Sequence, residues 1–294
     1  MIDVVDFSKW DTYDGNAEGS GRSEKEWLSL DGKMGLFKYP KSEETTEHIS
    51  EKLASSIANL LDIPCAEVDI GIYRNRIGSM SYRINQDNEF LVEGISFITQ
   101  LFPDYDKDIL CDNNTKYYYS LYMINPIIKL YGFEKQFAEM LIFDALIGNT
   151  DRHHSNWAFI LSASGKLKFC PLYDNGSSLC CYIKESDIDS YLGKDLKKAD
   201  ALVTTKSRTR IRLNPLIKKE PTHIEVLEYL NKAEEYNNYC RIFVKKINQT
   251  LTRQKICDML WEYPDNILSA KRKNLIYLFL TKKINIINNI FKGG

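Results

Sequence analysis

The sequence predicts an α+β fold of two lobes: a small β-rich lobe over residues 1–88 and a larger, mainly helical lobe over residues 89–294. Two observations carry this. Before about residue 88 the apolar residues alternate in short runs broken by tight turns, with one helical run among them, and a period of two marks half-buried strands. Further on, Phe133, Phe137, Met140, Leu141 and Ala145 recur at three- and four-residue spacing, which marks a helix packed on a core. A chain of 294 residues that is 44% hydrophobic has ample material for that core.

The elements run in order. Val4-Val5-Asp6-Phe7 predicts a short strand. Asp14 to Ser23 contains Gly15, Gly19 and Gly21 and reads as a flexible loop. Trp27, Leu28 and Leu30 lead into Asp31-Gly32, a hairpin signal, and Met34, Leu36 and Lys38 alternate along the return strand to Pro40. Ile49, Leu53, Ile57 and Leu60 then predict a helix from about Glu44 to Leu61, with Glu51, Ala54, Ser55 and Ala58 on a second face of small residues and one carboxylate. Val68, Ile70 and Ile72 alternate as a strand, 75–78 is a turn, and 79–84 is a further strand. The order is five strands with a helix after the third.

Residues 86–131 carry no clear pattern. Asp104, Asp106 and Asp108 alternate, but the stretch lacks the glycine and final glutamate of an EF-hand and reads as a surface loop. A helix is expected from about Gly132 to Gly148, stopped at Gly148-Asn149, as a glycine past the last apolar position would do. Residues 157–161 and 167–170 form a hairpin around the turn 162–165, and Asp174 lies just past it. From His223 onward, Ile224, Leu227, Leu230, Leu275, Leu278 and Leu280 predict packed helices.

Composition narrows the class. A net charge of -1 gives no reason to expect a nucleic-acid partner. The basic run Lys206-Ser207-Arg208-Thr209-Arg210-Ile211-Arg212 reads first as a solvated loop, with a substrate or phosphate contact as the alternative. Seven cysteines without C-x2-C spacing fit reduced thiols in the cytoplasm and no zinc site. The first residues lack a basic region followed by an apolar stretch, and there is no apolar run of about 20 residues, so no membrane span is expected.

The chemistry concentrates in two segments. Asp151 and Asn156 are five apart in Gly148-Asn149-Thr150-Asp151-Arg152-His153-His154-Ser155-Asn156, and Asp174 comes later in Pro171-Leu172-Tyr173-Asp174-Asn175-Gly176. Taken singly, each reads as a turn or cap residue. Together they are the set phosphoryl transfer needs: a carboxylate to orient an attacking hydroxyl, and a carboxylate and an amide oxygen for Mg2+. The hairpin folds Asn156 and Asp174 back toward each other. Upstream, Lys38 comes after a glycine loop and precedes the helix with Glu51, the order expected of a lysine that reaches ATP phosphates with a helix carboxylate beside it. Glu44 and Glu47 are rival carboxylates, and a strand lysine is also common at a solvated edge. Gly19, Ser20, Gly21, Arg22 and Ser23 are candidates to cover the phosphates. Adjacent His153 and His154 cannot easily share one metal, so structural or substrate-positioning roles are expected. The expectation is an ATP- and Mg2+-dependent kinase with a bilobal protein-kinase-like fold. The alternatives are a small-molecule or lipid kinase, the lipid-kinase loop in particular being what Asp151-Arg152-His153 resembles, and an ATP-binding pseudokinase scaffold.

Ser20-Gly21-Arg22-Ser23-Glu24-Lys25, Leu36-Phe37-Lys38-Tyr39-Pro40, the stretch 51–61, the stretch 146–156 and Pro171-Leu172-Tyr173-Asp174 together resemble the HipA family of bacterial serine/threonine kinases in a compact form without the N-terminal subdomain. The resemblance covers most of residues 15–180. It implies Lys38 as the ATP lysine, Glu51 as its helix partner, Asp151 as catalytic base, and Asn156 and Asp174 as Mg2+ ligands. It further implies a protein substrate with a serine or threonine acceptor, autophosphorylation of a serine in the phosphate loop, a toxin or effector role with an antitoxin partner, and a cytoplasmic or translocated location.

Overall fold

A computed structural model describes residues 2–13 and 24–292. Its N-terminal part is a six-stranded sheet in the order β1-β5-β6-β4-β3-β2. The strands are β1 (Val5–Asp6), β2 (Asp11–Thr12), β3 (Lys25–Leu30), β4 (Lys33–Lys38), β5 (Val68–Tyr73) and β6 (Arg76–Tyr82). The expected five strands gain a sixth, the two-residue β2, which pairs with β3 at Asp11–Ser29 and Thr12–Leu28. Two residues are too few for a period to show, so only the partner strand defines it. Asp31 and Gly32 both take positive φ in the β3–β4 turn, as a tight hairpin requires. One face of the sheet closes on Phe7, Leu28, Phe37, Tyr39, Tyr73 and Met80.

Helix α1 (Glu47–Leu60) crosses the other face. It starts three residues later than expected, because residues 42–45 form a turn closed by a hydrogen bond from Thr45 N to Ser42 O. Its buried side is Ile49, Leu53, Ala54, Ile57 and Ala58. Residues 86–131 prove structured. Strand β7 (Glu89–Glu93) runs straight into α2 (Gly94–Leu101), then the short hairpin β8 (Tyr105–Asp106) and β9 (Cys111–Asp112), and then α3 (Leu121–Tyr131). Gly94 permits the strand-to-helix junction, since a Cβ there would lie 2.2 Å from the Trp157 ring.

Helix α4 (Glu134–Ile147) sits at the centre of the remainder. Phe137, Ala138 and every residue from Met140 to Ile147 are buried, the mark of a helix that is apolar all round. It matches the expected helix to within two residues at each end. Strands β10 (Ala158–Ser162) and β11 (Leu167–Phe169) form the expected hairpin, and β7 pairs antiparallel with β10 on its other side. Short helices α5 (Asp189–Leu192) and α6 (Lys197–Val203) lead to four longer ones: α7 (His223–Lys232), α8 (Glu234–Thr250), α9 (Arg253–Trp261) and α10 (Ala270–Phe291). One continuous core joins α1, α3, α4, β10 and these helices. At roughly 1.5–3 kcal/mol for each large apolar side chain withdrawn from water, that core fixes how the sheet and the helices sit. Among the described residues no helix is long and apolar enough to cross a membrane, and all seven cysteines are free thiols.

Candidate active site

A cleft of about 780 Å³ opens between the sheet and the helical part, and its walls include Lys38, Glu51, Asp151, Asp174 and Arg210. The strand period places Lys38: Phe37 beside it is fully buried on the closed face, so Lys38 takes the opposite face. On that strand it pairs across to Lys25 on one side and Ser79 on the other, both of which also line the cleft. Lys38 Nζ donates to Asp174 Oδ1 at 2.8 Å. Glu51, on α1 and almost fully buried, does not bond Lys38. It accepts a hydrogen bond from the backbone N–H of Asn175 at 2.8 Å. The glycine at 176 keeps the approach open, because a Cβ there would stand 3.0 Å from Glu51 Oε2. Asp174 has φ +55°, a left-handed conformation that side chains seldom adopt and that concentrates at functional sites.

The charges in this corner are strongly coupled. Burial disfavours charge on Lys38, but Asp174 and Glu51 beside it hold its pKa above the usual lysine value. Burial likewise pushes Asp174 up, and the Lys38 ammonium reverses this and holds it at about 2. Glu51 is raised, chiefly by burial, with Lys38 opposing. Asp174 remains 42% exposed on the cleft side, so its carboxylate is reachable from solvent.

The loop that carries Asp151 hangs from the end of α4. Gly148 closes the helix at φ +69°, packed so tightly that a Cβ would meet Phe279 at 2.6 Å. Arg152 is fully buried and organises the loop around it. It donates to both carboxylate oxygens of Asp144 at 2.9 and 2.8 Å, to Asn156 O at 2.5 Å, to Tyr173 O at 2.9 Å and to Asn175 Oδ1 at 2.7 Å. One guanidinium thus ties the Asn156 backbone to the residues flanking Asp174. Asn156 is buried and its Nδ2 donates to Asp151 O at 2.8 Å, which leaves its Oδ1 as the end available to a cation. Asp174 lines the cleft, whereas Asn156 is buried and is not among the cleft's walls; the two side chains carry a carboxylate and a carboxamide oxygen. Those are the hard donors Mg2+ takes when phosphate oxygens and water complete its shell. Among the described residues no three His, Cys, Asp or Glu side chains gather into a ready-made metal site.

His154 is buried and shares a 3.0 Å hydrogen bond through Nδ1 with the Tyr105 hydroxyl. His153 Nδ1 accepts from Ser155 N. Both rings therefore shape the loop. Burial drives His154 down to about 4 and lowers His153 against the pull of Asp151 and Asp174.

The basic run 206–212 is not a solvated loop. Ser207, Thr209, Ile211 and Arg212 are buried, and Arg210 reaches Asp151 Oδ1 with Nε at 3.2 Å. The small-or-apolar and cationic residues alternate in Ser207-Arg208-Thr209-Arg210-Ile211-Arg212. That period-two signal marks an extended segment with one face inward, and the charge count alone conceals it. Arg152 and Asp144 were also missed by sequence reasoning. Gly19, Ser20, Gly21, Arg22 and Ser23 lie outside the described residues.

A small sheet with one crossing helix, a helical remainder and a cleft carrying lysine and aspartate between them make up a bilobal α+β fold of the protein-kinase-like class. No family model matches the chain. Over 197 residues it is 24% identical to the serine/threonine-protein kinase CtkA of Helicobacter pylori strain J99; the match takes in 63% of this chain and 58% of that protein, under two thirds of the relative's length. The crystal structure of the Helicobacter pylori proinflammatory kinase CtkA matches with a TM-score of 0.80 at 20% identity, covering 99% of both chains. A chain of the Shewanella oneidensis MR-1 toxin–antitoxin complex of HipA, HipB and operator DNA matches with a TM-score of 0.60 at 14% identity, covering 94% of this chain and 66% of that one. The fold expected from the sequence and its likeness to the HipA-like kinases are both borne out.

Proposed function

We propose that the chain is an ATP- and Mg2+-dependent phosphotransferase that acts on a serine or threonine hydroxyl of a protein. The observation that supports this most is that Lys38, Glu51, Asp151 and Asp174, drawn from four separate segments, share one cleft of a size suited to a small-molecule ligand. In the proposed complex Lys38, kept protonated by its carboxylate neighbours, leaves Asp174 for the ATP phosphates. Asp174 and the free Oδ1 of Asn156 would hold Mg2+, which supplies screening of phosphate charge. Glu51 keeps the backbone after Asp174 in place. Gly19 to Ser23 would cover the phosphates. Asp151 takes the proton of the acceptor hydroxyl as the oxygen bonds to the γ-phosphorus and the bond to ADP breaks. Positioning and fixed charge do most of this work. The acceptor class is that of the sequence relative, itself a serine/threonine-protein kinase.

The test is transfer of label from γ-labelled ATP to a degenerate serine/threonine peptide mixture and to the chain itself. Asp151→Asn is expected to lower transfer by at least about 1,000-fold, while a fluorescent ATP analogue binds within about three-fold of the original affinity. Transfer at the original rate in that variant rejects Asp151 as base. ATP binding with no transfer by the unmodified chain rejects the enzyme reading in favour of a nucleotide-binding scaffold.

A further inference from the structure

Asp151 has a charged partner in the cleft. Arg210 Nε lies 3.2 Å from Asp151 Oδ1, and Arg210 Nη1 donates to Glu220 Oε1 at 2.8 Å. Arg212 stands 3.6 Å from the same Glu220 oxygen. The result is a chain of alternating charge that ends on the carboxylate proposed as base.

The segment bearing Arg210 is clamped on both sides. Thr209 N donates to Pro221 O at 3.1 Å, His223 N to Ser207 O at 2.8 Å, and Arg212 N to Tyr119 O at 3.1 Å. Below it, the buried Ser207 hydroxyl bonds His223 Nδ1 at 2.8 Å and Lys283 Nζ at 2.5 Å. A guanidinium on such a base has little conformational freedom left to lose. Its planar fork can serve two carboxylates at once, which an ammonium cannot do in the same geometry.

The geometry assigns Arg210 as the positioning residue for Asp151: it holds Oδ1 and so presents Oδ2 to the acceptor hydroxyl, with Glu220 bracing the guanidinium from behind. This rests on the phosphotransferase reading above. The side chains of Arg210, Asp151 and Glu220 are 42%, 35% and 26% exposed. Pairs exposed to that degree add little to stability, so the effect belongs to the rate of transfer.

The experiment compares Arg210→Met, Arg210→Lys, Glu220→Gln and the double variant Arg210→Met/Glu220→Gln with the unmodified chain, using γ-labelled ATP and the degenerate peptide mixture. Arg210→Met is expected to lower kcat about 10- to 100-fold, as misorientation of a reacting group does, with KM for ATP within two-fold and Tm within about 2 °C. Glu220→Gln lowers kcat by a smaller factor, and the double variant falls no further than Arg210→Met, because Glu220 acts only through the arginine. Arg210→Lys recovers part of the loss. Transfer by Arg210→Met within two-fold of the original rate, or losses that multiply in the double variant, overturns the assignment while the phosphotransferase reading stands. Absence of transfer by the unmodified chain overturns both.

Discussion

Arg152 carries five hydrogen bonds from a fully buried position, and every partner is a distant point of the site: Asp144, Asn156 O, Tyr173 O and Asn175. A lysine there would keep the charge but not the fork, leaving buried acceptors unpaired. Arg152→Lys is therefore expected to destabilise the fold by roughly 2–4 kcal/mol, because a buried acceptor left without its donor costs about 1–3 kcal/mol. An unchanged urea midpoint would contradict this. None of it is visible along the chain, because the partners sit 4 to 23 residues away at no repeating interval. Lys38, Glu51, Asp151 and Asp174 were legible for the opposite reason. Their residue types and order match one known division of chemical labour, and the fold brings them to one cleft. Glu51 shows where that reading stops, since chain order cannot say whether a carboxylate meets an ammonium or the backbone beside it.

At the scale of elements, legibility tracks locality. Helix α4 was readable almost to its ends, because it is apolar all round and closed by a glycine that must take positive φ. Strand β7 was not, because what makes it a strand is pairing with β10, some 65 residues further on. Helix α10 hides another case. Its leucines predict a packed helix, but its sequence is also rich in lysine and asparagine, and Lys283 among them is 2% exposed. Burial lowers its pKa to about 7, with Cys180 opposing. A lysine whose folded pKa is depressed gives up its charge more readily folded than unfolded. Its penalty is thus absent above the unfolded value near 10.4 and complete once pH falls through about 7. Lys283→Met removes the penalty, and Ser207 keeps its bond to His223. The variant is expected to be more stable by roughly 1–3 kcal/mol at pH 6.5, with the gain shrinking toward pH 10. Paired urea melts at the two pH values check it, and a variant that is less stable at pH 6.5 would show that the buried ammonium is satisfied by its surroundings.

The whole molecule keeps neutral histidines inside a folded frame, and that sets its response to acid. Burial drives His48 to about 4, with Glu47 opposing, and His154 to about 4; it lowers fully enclosed His223 well below the ordinary value. In each case the unfolded chain binds the proton more tightly than the folded one. The stability these groups carry is therefore intact above pH 6.5 and drains as pH falls toward 4, by at most roughly 3 kcal/mol for His48 or His154. Asp174 works in the same direction but later. Its pKa drops from 3.8 to about 2 beside Lys38, so its share is lost only below about pH 4, and solvent screening at a 42% exposed side chain makes that share small. Below about pH 7, where the Lys283 contribution is complete, the urea midpoint should fall steeply from pH 6.5 to 4.5. His48 isolates the cause, because its Nδ1 has no hydrogen-bond partner among the described residues, so an apolar replacement leaves none of them unpaired. His48→Leu is expected to flatten the fall between pH 6.5 and 4.5 by about a third to a half while leaving the midpoint at pH 8 within about 1 kcal/mol. The same steep fall in that variant would move the origin of the acid response away from His48 and onto His154 and His223.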